Sequence, residues 1–182
     1  PAVVEAFSVI PREIFVDAAQ ANVAYSDDAL AFADGRALLA PMVLGKMIEA
    51  LAPGATDTAL CIGGATGYGA AVLSWMCDQV TDLECDPRFT VQNDAARAQW
   101  DQARVTRVVG DLRGGAKSEA GYDVILVEGA VSEAPYDLAL SLKPMGRLVA
   151  LVRPQADAVG TVFLFQKTAA GHVSARPLFE GT

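Results

Sequence analysis

Leu60-Cys61-Ile62-Gly63-Gly64-Ala65-Thr66-Gly67-Tyr68 is an apolar strand that runs into a glycine-bearing turn and then into a helix. Glycines let a backbone pass close beneath a ligand, and the helix N-terminus behind them presents unpaired N–H groups to its polar end. Without a ligand, the same stretch is a tight strand-to-helix turn. Downstream, short apolar runs alternate with helical patterns: strand Thr58 to Ile62, helix Gly67 to Cys77, strand Gln79 to Glu84, helix Pro87 to Trp100. Strand Val105 to Val109, strand Tyr122 to Val127, helix Pro135 to Leu142 and strand Arg147 to Val152 follow. Strands as dense in branched residues as Val124-Ile125-Leu126-Val127 predict a parallel sheet covered on both faces, and right-handed crossovers make it doubly wound. The rhythm breaks at the end: Thr161 to Gln166 and Val173 to Leu178 are joined by a loop too short for anything but an antiparallel pair.

Upstream, the periodicity predicts helices over Pro1 to Val9 and Arg12 to Ala18, and an irregular segment runs from Ser26 to Arg36. Pro41 suits a first helical turn, and Leu44, Met47, Ile48 and Leu51 recur at helical spacing until Pro53-Gly54. The expected architecture is α/β: a Rossmann-like, doubly wound, seven-stranded sheet with a C-terminal antiparallel hairpin. Residues 1–182 are expected to form one domain, with N-terminal helices and a substrate loop over 1–52 and a cofactor-binding core over 53–182. The chain opens on Pro1, already within a helical pattern, so further residues are expected before it.

Of the 182 residues 52% are apolar, yet no apolar run reaches the roughly 18 to 20 residues of a spanning helix, which predicts a soluble protein away from the membrane. Fourteen basic against 22 acidic side chains give a net charge of −8, which argues against nucleic acid as a partner. Cys61, Cys77 and Cys85 show no C-x-x-C spacing, so neither a zinc site nor a disulfide framework is expected, and a reducing cytoplasm is. Homo-oligomerisation stays open.

Open α/β sheets bind ligands past the carboxyl ends of their strands. Glu84 ends the second long strand, 17 residues after Gly67, where a carboxylate can accept from both hydroxyls of a ribose. Asp111, after Val108-Val109-Gly110, can accept from an adenine amino group, and Glu128, beyond the fourth strand, faces the same edge. Each acid can equally be a cap or a solvated turn residue. His172 reads as an exposed loop residue beside Gly171, which leaves no histidine for a triad, and Trp75 and Met76 read as core at helical spacing.

Beyond these positions the chain resembles the protein-L-isoaspartate O-methyltransferases, a family of class I S-adenosylmethionine-dependent enzymes. Val9-Ile10-Pro11-Arg12-Glu13-Ile14-Phe15-Val16 is similar to the family's V-P-R-x-x-F-V, and Ala24-Tyr25 to its following A-Y. Ile62 to Tyr68 is similar to I-G-T-G-S-G-Y, Tyr122 to Val127 to Y-D-x-I-x-V, and Leu142 to Val149 to L-K-x-G-G-x-L-V. The resemblance implies S-adenosyl-L-methionine as cofactor and esterification of isoaspartyl carboxylates in damaged proteins. It implies a cofactor site of Gly63, Gly64, Ala65, Thr66, Gly67, Tyr68, Glu84, Cys85, Asp111, Leu112 and Glu128, and a substrate loop carrying Arg36, Leu38, Leu39 and Pro41. No metal and no acid or base residue is implied.

Three positions depart from the family. Its acid at the end of the first strand falls on Cys61, the middle glycine of its loop on Ala65, and its G-Q-T-I-S-x-P substrate loop on Gly35-Arg36-Ala37-Leu38-Leu39-Ala40-Pro41. Arg36 is then the loop's one strong donor, able to clamp a carboxylate bidentately, and restoring Gly at 65 with Glu at 61 is expected to tighten cofactor binding. The leading expectation is a methyltransferase acting on a carboxylate of a protein, a peptide or a small acid. The alternatives are a module that kept the fold without the chemistry, and a nicotinamide-dependent oxidoreductase, which the absence of G-x-G-x-x-G disfavours.

Overall fold

The computed structural model describes residues 2–100, 103–155 and 159–181. Its main sheet has seven strands: β3 (Thr58–Ile62), β4 (Gln79–Glu84), β5 (Val105–Val109), β6 (Tyr122–Val131), β7 (Leu142–Val152), β8 (Gly160–Lys167) and β9 (Val173–Gly181). They lie in the order β5-β4-β3-β6-β7-β8-β9. Strands β5 to β7 across that order are parallel, while β8 runs antiparallel to β7 and β9 antiparallel to β8. The chain winds outward from β3 to β5 and returns to β6 on the other side of β3, so the topological switch falls between β3 and β6, directly above the 63–67 loop.

Each central strand is apolar on both faces because both are covered. On β3, Ala59 and Cys61 enter one core with helices α1 (Ala2–Val9), α2 (Pro41–Leu51) and α3 (Tyr68–Met76), while Leu60 and Ile62 enter the other with Leu138 of α5 (Tyr136–Leu140). The period of two makes this division automatic. Helix α3 buries almost every residue, and Tyr68 at its start meets Phe7 and Phe15 edge-on at 5.8 and 5.4 Å.

Several elements differ from their sequence reading. The helix expected over Arg12 to Ala18 is a single 3₁₀ turn, Arg12–Phe15: the Arg12 side chain is buried and holds the carbonyls of Ala24 and Leu39, which pulls the chain away from a helical path. The helix read over Pro87 to Trp100 is the shorter α4 (Arg88–Arg97), and that over Pro135 to Leu142 shrinks to α5. Leu142 already pairs with Tyr122 of β6, across an irregular stretch where Met145 is left-handed (φ 68°). Within the segment read as irregular, β1 (Leu30–Ala31) and β2 (Ala37–Leu38) form a two-residue antiparallel ribbon. Trp75 is not core: it is 42% exposed and stands 6.4 Å from Trp100. Met76 is buried as expected, and His172 is exposed.

Candidate cofactor and acceptor cleft

Gly63, Ala65 and Gly67 all take left-handed backbone, at φ 73°, 51° and 88°. Two of them are glycines, for which this costs little. Ala65 carries a Cβ there, a strain of roughly 1–2 kcal/mol, and the loop keeps its shape because it is tied at several points. Gly63 N–H donates to Leu83 O (2.9 Å), Ala65 N–H donates to Glu84 Oε2 (2.9 Å), and Arg107, paired with Asp82, donates to Ala65 O. Arg36 Nη2 donates to Gly63 O (2.9 Å) from the β1–β2 ribbon across the cleft.

Glu84, at the end of β4, is fully buried. Arg36 meets it bidentately, Nη1 to Oε1 at 2.8 Å and Nη2 to Oε2 at 2.6 Å, and the backbone N–H groups of Cys85 (2.8 Å) and Asp86 (3.2 Å) donate to Oε1. Burial pushes the carboxyl pKa up, but the Arg36 pair and the two N–H donors together bring it below the ordinary value. Arg36 is therefore not the free acceptor clamp that the sequence suggested; its guanidinium is held over the cofactor side of the cleft, above the Phe89 ring at 5.3 Å. Cys85 is exposed, with its thiol 3.4 Å from Glu84 Oε1.

Glu128 takes an unexpected inward course. It leaves β6 just before left-handed Gly129, and its Oε1 accepts from the Cys61 thiol at 2.9 Å. The carboxylate lies in a cradle that only glycines can form: a Cβ on Gly64 would stand 2.5 Å from Oε1, and one on Gly69 would overlap the carboxylate outright. Burial raises the Glu128 pKa to about 7 against the pull of the Cys61 hydrogen bond and the Arg12 charge. Its Oε2, Arg12 Nη1 and the Tyr68 hydroxyl are buried and lack hydrogen-bond partners among the described residues. Arg12, over the Tyr68 ring at 4.9 Å, is pushed down in pKa by burial and partly restored by Tyr68 and Glu128. Beyond the V-P-R resemblance, nothing in the order of residues points to Arg12 in this position.

A cleft of 940 Å³ opens past the strand ends, within the roughly 300–1,000 Å³ usual for small-molecule sites. Arg36, Leu39, Gly63, Cys85, Leu112 and Glu128 line it, and its far wall is the 129–138 segment. Of the expected substrate loop, Leu38 instead turns into the core opposite Leu30, and Pro41 opens α2 beside a separate shallow groove against α1. Asp111 is exposed and accepts from Arg113 N–H at 3.2 Å, the local turn role weighed for it above. Arg153, at the end of β7, was missed: it lines the cleft with its buried Nε unpartnered among the described residues, and a lone arginine after a strand carries no sequence signal. The residues fit S-adenosyl-L-methionine by their chemistry: a carboxylate for a diol, glycines under a polar chain, and an unpartnered buried carboxylate oxygen for an ammonium group.

Comparison with known proteins agrees with this geometry. The profile of the protein-L-isoaspartate(D-aspartate) O-methyltransferase family matches residues 1–180. The protein-L-isoaspartate O-methyltransferase of Methylorubrum extorquens (strain PA1) is 40% identical over 155 residues, 84% of this chain and 67% of that enzyme. That of Ruegeria sp. (strain TM1040) is 32% identical over 170 residues, 93% and 79% of the two chains. A solved protein-L-isoaspartate O-methyltransferase superposes with a TM-score of 0.86 at 26% identity, covering all of this chain and 59% of its own. A Plasmodium falciparum structure assigned to the same activity, in complex with S-adenosyl-L-homocysteine, shares the fold at a TM-score of 0.82 and 16% identity over the whole of this chain and 88% of its own. The chain spans about two thirds of the length of the first of these curated relatives. With its profile match over residues 1–180 and these identities, the chain belongs to the protein-L-isoaspartate (D-aspartate) O-methyltransferase family.

Proposed function

We propose that this chain uses S-adenosyl-L-methionine to methylate a carboxylate of an isoaspartyl-type protein or peptide substrate, with the cofactor ribose on Glu84 and its methionine end over the 63–67 loop. The observation that carries the reading is Glu84: a buried carboxylate at the end of β4, held by the Ala65, Cys85 and Asp86 N–H groups and covered by Arg36, which itself lines the cleft at the topological switch. When bound, the cofactor supplies an electrophilic sulfonium methyl. The protein's own residues orient and exclude water. Leu39, Ile62 and Val127 line the cleft with apolar surface, and Arg113 and Arg153 supply cationic groups for an acceptor carboxylate. A carboxylate acceptor is already ionised near neutral pH, so positioning suffices and no base is needed.

The acid missing at Cys61 has a counterpart. Glu128 reaches the same place from the neighbouring strand and contacts the Cys61 thiol, which favours catalysis over a fold kept without chemistry. Residues 1–52 then contribute the Arg36–Leu39 rim of the cleft, and 53–182 the cofactor loop together with the far wall and the two arginines offered to the acceptor. Free Cys61, Cys77 and Cys85 suit a reducing cytoplasm, and among the described residues no helix is long and apolar enough to cross a membrane. The test is methyl ester formation on an isoaspartyl peptide with labelled S-adenosyl-L-methionine. Turnover is expected, lower than in family members with the polar loop because Leu38 and Leu39 supply no side-chain donors; no ester on isoaspartyl or other carboxylate acceptors would refute the reading.

A further inference from the structure

Glu84 has no acceptor position to spare. A carboxylate offers about four lone-pair sites, and Glu84 carries N–H donors from Arg36 (twice), Ala65, Cys85 and Asp86. The three backbone donors belong to the turns that shape the loop and the end of β4, and they cannot leave without unmaking both. The two from Arg36 come from a side chain on the β1–β2 ribbon, a separate segment across the cleft. A diol can therefore reach Glu84 only where the guanidinium now lies.

We propose that the cofactor ribose displaces Arg36 from Glu84, and that the released guanidinium then holds the carboxylate of the methyl acceptor, so that acceptor binding depends on a loaded cofactor site. The inference rests on the placement of the ribose on Glu84 argued above. Three features make the exchange feasible. The Arg36 side chain is 23% exposed, against 0% for Glu84, so it can swing outward while the carboxylate stays. The backbone of the turn is held independently by the β1–β2 pairing and by the Phe32 N–H, which donates to Arg36 O at 2.7 Å, so the side chain moves and the backbone need not. Arg36 and Leu39 border the same cleft as the 129–137 wall, which puts the freed cation within the acceptor's compartment. Arg36 neutralises Glu84 before loading and the acceptor carboxylate after it, when the ribose hydroxyls join the backbone N–H groups of Ala65, Cys85 and Asp86 in solvating Glu84.

Titration calorimetry with S-adenosyl-L-homocysteine tests the competition. Arg36→Gln removes the competing cation and should bind about tenfold to a hundredfold tighter than the wild type, the scale of a charged hydrogen-bonded contact no longer broken on loading. Arg36→Lys, which keeps a charge but loses the bidentate grip, should lie between the two and decides the question should the Gln variant fold poorly. In the wild type, saturating S-adenosyl-L-homocysteine should tighten binding of an isoaspartyl peptide, and this coupling should vanish in Arg36→Gln, which should also show a raised KM for the peptide. Equal or weaker cofactor binding by both variants, with Glu84→Ala still impaired, would overturn the exchange alone. Unchanged binding by Glu84→Ala would overturn the ribose placement and the exchange with it.

Discussion

Glu128 and Cys61 show how two adjacent strands can share one chemical requirement. Cys61 pairs in register with Leu126, two residues before Glu128, so a long acid on β6 reaches the space beside a short thiol on β3. Cys61→Glu, which the sequence suggested as a restoration, would instead set two buried carboxylates against each other, and should destabilise the protein unless Glu128 is shortened at the same time, as in Cys61→Glu with Glu128→Thr; urea unfolding of the single and double variants measures the coupling. Glu128 also leaves a pH signature. Its folded pKa, about 7, lies above the ordinary 4.5, so the folded state binds the extra proton and stability falls as pH rises from about 4.5 to 7. The contribution is about 3 kcal/mol, present in full below that window and absent above it. Glu128→Gln cannot lose the proton; the wild-type stability minus that of the variant should drop by about this amount between pH 4.5 and 8, and a difference that does not change with pH would contradict a buried, titrating Glu128.

The first turn of α3 depends on what its glycines leave out. Gly69 faces the Glu128 carboxylate, so Gly69→Ala should lose about 1–3 kcal/mol to overpacking despite the better helix propensity of Ala, and Gly69→Ala with Glu128→Ala should recover most of it. Unfolding of the two variants checks this; an Ala at 69 tolerated beside Glu128 would mean that the carboxylate lies elsewhere. The element boundaries that the sequence conveyed best are those with strong periodicity. Strand β3 matches its reading to the residue, and helix α2 starts at Pro41 as read and stops at Leu51 just short of Pro53-Gly54, since Val, Ile and Leu density and i, i+4 spacing are decided locally. Less was legible where one long side chain overrides local preference: the buried Arg12 breaks an expected helix, and Leu30 and Leu38 form a ribbon too short to have a period. At the cleft, Glu84, Cys85 and the 63–67 loop converge as expected because a strand end and a glycine turn carry their own signals. The seat of Arg36 does not, since nothing in the order of residues brings position 36 to position 84.

Across the cleft, the turn between β1 and β2 is tied to the end of β4 and to the 63–67 loop by Arg36, through Glu84 and the Gly63 carbonyl. The β1–β2 ribbon is also linked to the start of α4 by the Phe32–Phe89 ring contact at 5.4 Å and by Arg88, whose 61% exposed side chain makes its ion pairs weak contributors. A ligand that bridges the 63–67 loop and Glu84 should therefore stabilise the entire chain. At a hundredfold excess over its Kd, S-adenosyl-L-homocysteine should contribute about 2.7 kcal/mol, a rise in Tm of about 5–10 °C for a domain of this size. Glu84→Ala removes the ribose partner at a cost of roughly 1.5–3 kcal/mol in binding, so at the same ligand concentration the rise should shrink to about 1–5 °C. The same substitution strands the Arg36 guanidinium over Phe89 with Gly63 O and the Cys85 thiol as its hydrogen-bond partners among the described residues, so the ligand-free variant should already melt below the wild type. A scan with and without ligand separates the effects: a lowered ligand-free Tm reports the lost pair, and a reduced ligand-induced rise reports the lost ribose contact. A variant with a lowered Tm and the full ligand-induced rise would place Glu84 in the framework of the cleft and remove it from cofactor recognition.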